Sequence, residues 1–599
     1  MNLFSELQRR NVLRATVLYA GAVWALAQGI AQLGPSVGAP DWVTRWFLVA
    51  AAIGFPFWLA FAWFYELTPQ GLKRESEIVA DASIVRSTSR QLDRAIIVVL
   101  AVAVVLLLTD RLVLRKDTGS ASIPDKSIAV LPLVNESGDP QQDYFSDGLS
   151  EELISALGQV RDLKVIGRNS SFRFRGKAQD DTASIGVTLG VATLLEGTVR
   201  KQGDEVRIVA SLIKASDGSE LWSQTYDREL KDVFAMQSEI ATSVAGALKT
   251  TLLGKAIESA DKPPSGNLDA YNALLQGRFY AARRNRADYL KAVDYYQQAI
   301  KLDPGYGIAY ARLAIAQQWF NNWVANADER KTTSPLARAN ANKAVALNPQ
   351  SAVAQGALGI NQAWSDIDYP AAEATLKKAV ALDPSNPETL YQLADVTGCL
   401  GRLDEAVAMM RKVLAMEPLN ASFHFYTGQF LLALGQLDEA EAELKRAIDL
   451  QPTAVGFHGY LAMAYIKHGR LDQALLMAKA EPSPALQRGA LAMVYLAQND
   501  NTRAQAQLAE VIRLDADYSQ LLIADVYAVR GDADQAFAWL DRGLAARDPG
   551  VAALYEDPFL VPALRNDPRL AVFMKKLGLP DPNTVSDTWA TPAIAKPTP

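Results

Sequence analysis

Cysteine and histidine are almost absent from this 599-residue chain, which has one cysteine, Cys399, and three histidines, His424, His458 and His468. A single thiol excludes an intramolecular disulfide and any zinc site built on paired thiolates. None of the histidines falls in an HExxH or similar metal-binding spacing, so they read as surface or helix-packing residues. Charge of one sign is lacking too. The 60 basic and 66 acidic residues give a formal net charge of −6. No basic stripe follows from that balance, and nucleic acid is not an expected partner. Catalytic signatures are also missing. Gly176-Lys177 lacks the preceding glycine of a phosphate loop, and there is no GxSxG elbow. Glu151-Glu152 lies on a helical pattern and reads as a solvated pair, and Cys399 has no activating partner in sequence. No enzyme activity and no cofactor are expected.

What is present is a chain long enough for about three to five structural units. With 49% apolar and 21% charged residues, most of it is expected to fold. Three apolar stretches lie near the start, at 15–34, 46–65 and 95–114. The first two carry no charge and reach the roughly 20 residues a bilayer core requires, and Trp46, Trp63 and Tyr65 sit near the ends of the second. The third has an uncharged core from Ala95 to Thr109 followed by Asp110 and Arg111, a length that also suits a buried core helix. The expectation is a membrane region at 15–114 with three helices in the bilayer, after a cytoplasmic segment at 1–14. Arg9, Arg10 and Arg14 before the first span, and Lys73, Arg74, Arg86, Arg90 and Arg94 before the third, place those loops inside. Everything after Arg115 is then expected in the periplasm, although Arg111, Arg115 and Lys116 oppose that orientation. Gln28 and Gln32 in the first span could bond another helix, which would make a homo-oligomer.

A polar linker at 115–125 leads into a mixed pattern at 126–252. Ser127 to Val134 reads as a buried strand, with Pro132 marking an edge or a bulge. A helix follows from Ser146, then a short strand from Leu163 to Gly167 and a short helix around Ala183 to Gly190. Strands are expected at Thr193 to Arg200, Glu205 to Ile213 and Leu221 to Tyr226, with an amphipathic helix from Asp232 to Leu252. Strands mixed with helices over this stretch are expected to make a small α/β or α+β domain. The runs KSIAVLPLVNESGDPQQDYFSDGLSEELISAL, LKVIGRNSSFRFRGK and LLEGTVRKQGDEVRIVASLIKASDGSELWSQTYDREL resemble the domain related to the N-terminal domain of TolB and to the flagellar outer-membrane protein FlgO. The resemblance spans Lys126 to about Lys249. It implies a non-catalytic extracytoplasmic module of the kind that precedes repeats in some class III adenylate cyclases and CadC-like regulators. The opening residues also resemble the membrane leader of such proteins. Only Met1 to Arg14 precedes the first apolar stretch, so neither a cyclase catalytic domain nor a winged helix is expected there.

From Leu268 the pattern becomes helical and repetitive. A similar phrase recurs, ending at Pro304, Pro349, Pro384, Pro418 and Pro452, with spacings of 45, 35, 34 and 34 residues. A 34-residue period ending in proline is the signature of the tetratricopeptide repeat (TPR), two antiparallel helices per unit. About eight repeats are expected over 268–548, with the longer first interval absorbed around Asn321 to Thr333. A capping tail is expected at 549–580 and a disordered tail at 581–599. Stacked repeats leave a concave surface lined by the first helix of each unit. The repeat register points Tyr391, Asp395, Phe425 and Gln429 toward it as candidate partner-binding residues.

The fold class expected is therefore multidomain: three N-terminal transmembrane helices, a small α/β domain and an all-α TPR superhelical solenoid. The expected function is that of a bacterial inner-membrane scaffold or sensor, in contact with the lipid bilayer and binding protein or peptide partners in the periplasm. A regulatory component of a cyclase-like signalling system and a surface-structure assembly factor are the alternatives.

Overall fold

The computed structural model describes residues 123–160, 162–176, 181–248, 262–325, 327–516, 519–546 and 549–585. It also describes positions 65–68, 71–74 and scattered positions between Thr16 and Trp58. The chain divides into two compact units, Met1–Ser122 and Ile123–Pro599.

In the first unit, described helical positions fall between Thr16 and Ala27 and between Phe47 and Trp58. The Tyr19 hydroxyl donates to the Ala51 carbonyl at 2.7 Å, and its ring lies 5.6 Å from those of Phe55 and Trp58. The second apolar stretch gives way at Tyr65–Thr68 (β1) to a hairpin with Gly71–Arg74 (β2). Among the described residues, no helix is long and apolar enough to cross a membrane. The expectation of three transmembrane helices is corrected on that finding, and contact with the bilayer has no support among the described residues. A helix that is apolar on all sides can be buried in a protein core as well as in a bilayer. The stretch at 95–114, Gln28 and Gln32 lie outside the described residues. The periplasmic orientation presupposed the three spans and has no support without them.

The second unit opens with a mixed sheet in the strand order β5-β3-β6-β7-β8. Its strands are Ser127–Val130 (β3), Val134–Asn135 (β4), Lys164–Ile166 (β5), Thr193–Gln202 (β6), Glu205–Lys214 (β7) and Glu220–Glu229 (β8). β3 pairs in parallel with β5 and β6, while β6, β7 and β8 form an antiparallel meander. The strand read through Pro132 is interrupted there, because proline has no N–H to give the ladder. Leu131 still donates to Leu195, the Leu133 N–H turns to the Ser150 hydroxyl, and β4 resumes pairing on β6.

Side chains of β3 alternate between two cores. Ile128 and Val130 meet Asp143–Gly158 (α1) and Val233–Ala247 (α4). Ala129 and Leu131 meet Ile185 and Leu189 of Thr182–Leu189 (α3). The short helix Arg168–Ser171 (α2) follows β5. Solenoid residues complete both cores, Tyr271 and Leu275 on the first side and Leu419 on the second. The α/β region is thus built into the repeat array.

Among the described residues the array has eight antiparallel helix pairs. They are Leu268–Ala281 (α5) with Arg286–Leu302 (α6), Gly307–Trp323 (α7) with Ala327–Leu347 (α8), Ala352–Trp364 (α9) with Tyr369–Leu382 (α10), and Pro387–Cys399 (α11) with Leu403–Met416 (α12). Next come Ala421–Ala433 (α13) with Leu437–Leu450 (α14), Phe457–Lys467 (α15) with Leu471–Ala480 (α16), Pro484–Ala497 (α17) with Asn501–Asp515 (α18), and Gln520–Arg530 (α19) with Ala533–Ala546 (α20). Leu560–Leu564 (α21) and Pro568–Lys576 (α22) are the last helices among the described residues.

The repeated sequence phrase sets the joints. Asn386 and Asn420 cap α11 and α13 by accepting from backbone amides of the first turn. Gly401 and Gly435, at φ of 81° and 74°, make the turn within their repeats. Close approach inside a repeat needs a small residue. A Cβ on Gly428 would lie 2.7 Å from Leu444 Cγ, and one on Gly359 would lie 2.6 Å from Leu376 Cγ.

First and second helices differ in burial. In α14 only Ala440, Glu441, Leu444 and Ala447 are buried, a single stripe. In α11 every residue from Thr389 to Cys399 is buried. A helix buried on all sides is covered on all sides, and over α11 and α13 that cover includes the C-terminal segment Leu554–Glu556.

Candidate functional site

The face lined by the first helices carries the four residues picked from the repeat register. Tyr391, Asp395 and Gln429 are 5%, 6% and 8% exposed, and Phe425 is half-buried. Tyr391 hydrogen-bonds to the Asp395 carboxyl and packs 4.8 Å from the Tyr426 ring. Phe425 stacks on Phe457 at 4.7 Å. The structure brings Asp395 and Gln429 together around one group, the Glu556 carboxyl. Tyr391 supports that site from behind, and Phe425 stands apart in an aromatic cluster with Tyr460.

Glu556 belongs to a returning segment, 549–564, that crosses the face. Leu554, Tyr555, Phe559 and Leu560 are all at most 1% exposed and join the main solenoid core, and Glu556 between them is 3% exposed. Gln429 Nε2 donates to Glu556 Oε2 at 3.1 Å, and Cys399 Sγ lies 3.4 Å from Glu556 Oε1. Gly398 makes the room, since a Cβ there would sit 2.9 Å from Glu556 Oε1. One residue on, Asp557 accepts from the amides of Phe559 and Leu560, just before α21. Lys467 Nζ stands 4.8 Å from the Phe559 ring centre.

The electrostatics are unusual for a packing seam. Four buried carboxyls (Asp395, Asp525, Glu556 and Asp557) share the neighbourhood with one buried lysine, Lys467. Burial pushes Asp395 up to about 7. Burial and the neighbouring Asp395 raise Glu556 well above the usual carboxylate range, and burial with Asp557 nearby does the same to Asp525. Burial lowers Lys467 to about 8 despite Asp557 and Asp525. The Asp525 Oδ1 atom has no hydrogen-bond partner. Burial also raises the Cys399 thiol, reinforced by Glu556, so this cysteine is held as a neutral thiol.

The α/β module forms a second seam with the repeats. Gly167 N–H donates to Met416 O at 2.9 Å. Glu417 accepts from the amides of Asn169 at 3.0 Å and Ser170 at 2.7 Å. Leu419 N–H donates to Ser170 Oγ, and Arg173 donates to the carbonyls of Leu419 and Leu450. Glu417 is 1% exposed, and burial pushes it up to about 7 against those hydrogen bonds. Nearer the start of the array, Glu151 is clasped by Arg168 and Arg278. Burial alone would raise it, but the two guanidinium groups outweigh that and hold it at about 2. The Tyr271 hydroxyl donates to Glu152 and accepts from Gln237.

Sequence reasoning passed over Glu417, Lys467, Asp525, Glu556, Asp557 and Phe559. The run Tyr555-Glu556-Asp557-Pro558-Phe559 was the one available signal, because acidic residues between aromatics are out of place in a purely packing tail. Among the described residues, no group of histidine, cysteine, aspartate and glutamate is placed to hold a metal ion.

Comparison with known proteins agrees with the repeat geometry. Two tetratricopeptide-repeat family profiles match, one at residues 391–455 and 490–552 and the other at 431–492. Residues 391–552 are therefore tetratricopeptide repeats. A curated relative, "Putative adenylate cyclase 3" of Rhizobium meliloti (strain 1021), is 33% identical over 282 residues. The match covers 47% of this chain and 41% of that protein, so the chain spans less than half the length of the relative it matches. Among solved structures, pilF of Pseudomonas aeruginosa is 16% identical with a TM-score of 0.29, covering 35% of this chain and 91% of its own. The human IFIT1 dimer with m7Gppp-AAAA is 15% identical with a TM-score of 0.34, covering 53% and 78%. At these values the likenesses carry no functional argument.

Proposed function

We propose that this protein is a TPR interaction scaffold that binds a protein or peptide on the face lined by α11, α13 and their neighbours. The observation that carries the reading is that this face already holds a short segment of polypeptide, 554–559, which begins as a 3-10 turn at Leu554–Glu556 and is gripped through its side chains. A surface that accommodates a linear segment of its own chain has the dimensions and chemistry to accommodate another. Tyr391, Asp395, Phe425 and Gln429 are the partner-binding residues in this proposal. The resemblance of residues 126–249 to TolB and FlgO modules supports partners within the bacterial cell envelope. The test is site-specific photo-crosslinking in cells from Phe425 on the first-helix face and from Glu439 on the outer surface. Crosslinks to a defined protein from Phe425 alone support the proposal, and equal yields from both positions sink it.

The identity with the Rhizobium relative favours a second reading, in which the chain is a regulatory component of a cyclase-like system. A change in cyclic AMP formation by a bacterial adenylate cyclase on adding the purified full chain, lost on Asp395→Asn, would replace the scaffold reading with that one.

A further inference from the structure

The returning segment is an odd choice for a structural plug. Its contacts with α11 and α13 come from side chains, while its backbone amides at Glu556 and Asp557 bond within the segment, to Ala553 and Leu554. Docking therefore adds no backbone ladder that would bind it irreversibly. It also carries two carboxyls into a site that already holds Asp395 and Asp525, with the buried cation Lys467 beside them. Apolar side chains of the same volume would pack there without that electrostatic cost. Departures from local consistency of this kind cluster where function requires them. The unpartnered Asp525 oxygen, 2% exposed as a residue, shows a polar lining that the internal segment leaves unsatisfied. The notch at Gly398 fits a carboxyl side chain, and Lys467 fits an aromatic ring.

Building on the scaffold reading, we propose that residues 554–559 are an internal ligand that holds the C-terminal half of the face shut. The partner that displaces them is a peptide of the same chemistry: an aromatic residue, an adjacent acidic pair, a proline and a second aromatic. The segment's carboxyl takes the notch between Gly398, Cys399 and Gln429, and its second aromatic takes the Lys467 position. A partner peptide takes both, and the tail swings out.

The experiment uses the full chain and a dye-labelled synthetic peptide spanning Ala553 to Leu564, with binding read by fluorescence anisotropy. Self-occupancy lowers apparent affinity by the fraction of molecules that are open. The double variant Tyr555→Ala/Phe559→Ala is thus expected to bind the peptide at least about tenfold more tightly than the wild type. Adding Gly398→Val to that variant is expected to abolish binding, as is replacing glutamate with lysine in the peptide at the place of Glu556. Equal binding by wild type and double variant overturns the proposal, as does no binding by a double variant with native circular dichroism. A wild-type dimer that exchanges this segment between copies overturns it as well. If the double variant does not fold, hydrogen exchange on the wild type decides. Amides of 554–560 must exchange through an opening that leaves α13 protected, and exchange of both only on global unfolding refutes the proposal. Crosslinks from Phe425 together with failure of this peptide would leave the scaffold reading standing and remove the internal-ligand inference alone.

Discussion

Replacing Glu417 with alanine should uncouple the α/β module from the repeats in a pH-dependent way. At this seam the carboxyl accepts two buried amides, from Asn169 and Ser170. Leaving a buried donor unsatisfied costs about 1–3 kcal/mol, so the substitution should weaken the seam by about 2–4 kcal/mol once the tail of α2 relaxes. The carboxyl itself titrates at about 7 in the folded protein because it is buried, against about 4.3 for a free glutamate. A raised acid stabilises the fold in its protonated form. Its contribution is complete below the unfolded pKa and is lost as pH rises through the folded one. Over that window the wild-type seam loses about 3–4 kcal/mol, at 1.36 kcal/mol per pH unit, whereas the alanine variant has nothing there to titrate. The penalty of Glu417→Ala should therefore be large at pH 5 and nearly vanish at pH 8.5. Hydrogen exchange at the Asn169 and Ser170 amides, corrected for intrinsic rates, measures the opening free energy of the seam. An equal penalty at both pH values would refute the assignment of this carboxyl as a buried, protonated latch.

Three further outcomes follow from the same geometry. Glu151, held at about 2 by Arg278 and Arg168, is a depressed acid, so its contribution is present above pH 4.3 and lost as pH falls toward 2. Glu151→Gln should flatten the acid limb of the thermal stability profile by about 3 kcal/mol, as read by calorimetry. Asp525→Asn removes a buried carboxyl with an unpartnered oxygen. Its folded pKa is raised, so the variant should be more stable than the wild type at pH 8.5 by about 1–3 kcal/mol and show a smaller difference at pH 5 in paired melts. Gly428→Ala places a Cβ 2.7 Å from Leu444 Cγ and should cost about 1–3 kcal/mol. Combining it with Leu444→Val should recover part of that loss, whereas additive losses in chemical denaturation would mean that the two sites do not touch.

Regular local spacing carried much of the fold in the sequence. The phrase ending at Pro384, Pro418 and Pro452 recurs at the length of one helix pair, and the copies ending at Pro384 and Pro418 are each followed by a capping asparagine, Asn386 and Asn420. A helix pair is specified by contacts within about 34 residues, so the repeats are legible one at a time. The β6–β7 hairpin was legible for the same reason, since its strands pair across a two-residue turn at Gly203-Asp204. The apolar stretches at 15–34 and 46–65 show the limit of such local reading. Hydropathy states that a segment avoids water and leaves open whether lipid or protein covers it, and the bond from Tyr19 to Ala51 joins residues 32 apart.

The sequence by itself thus determined the kinds of helices and strands, their capping and the repeat that stacks them. Only the tertiary structure decided what fills the face those repeats create. Glu556 meets Gln429 across 127 residues, and Ser170 meets Glu417 across 247. No periodic pattern relates positions that far apart. Their pairing depends on where the superhelix brings the two flanks of the chain, and on the free energy of burying their carboxyls together there. That is why Tyr391, Asp395 and Gln429 could be picked from the register as lining residues while the segment that covers them could not.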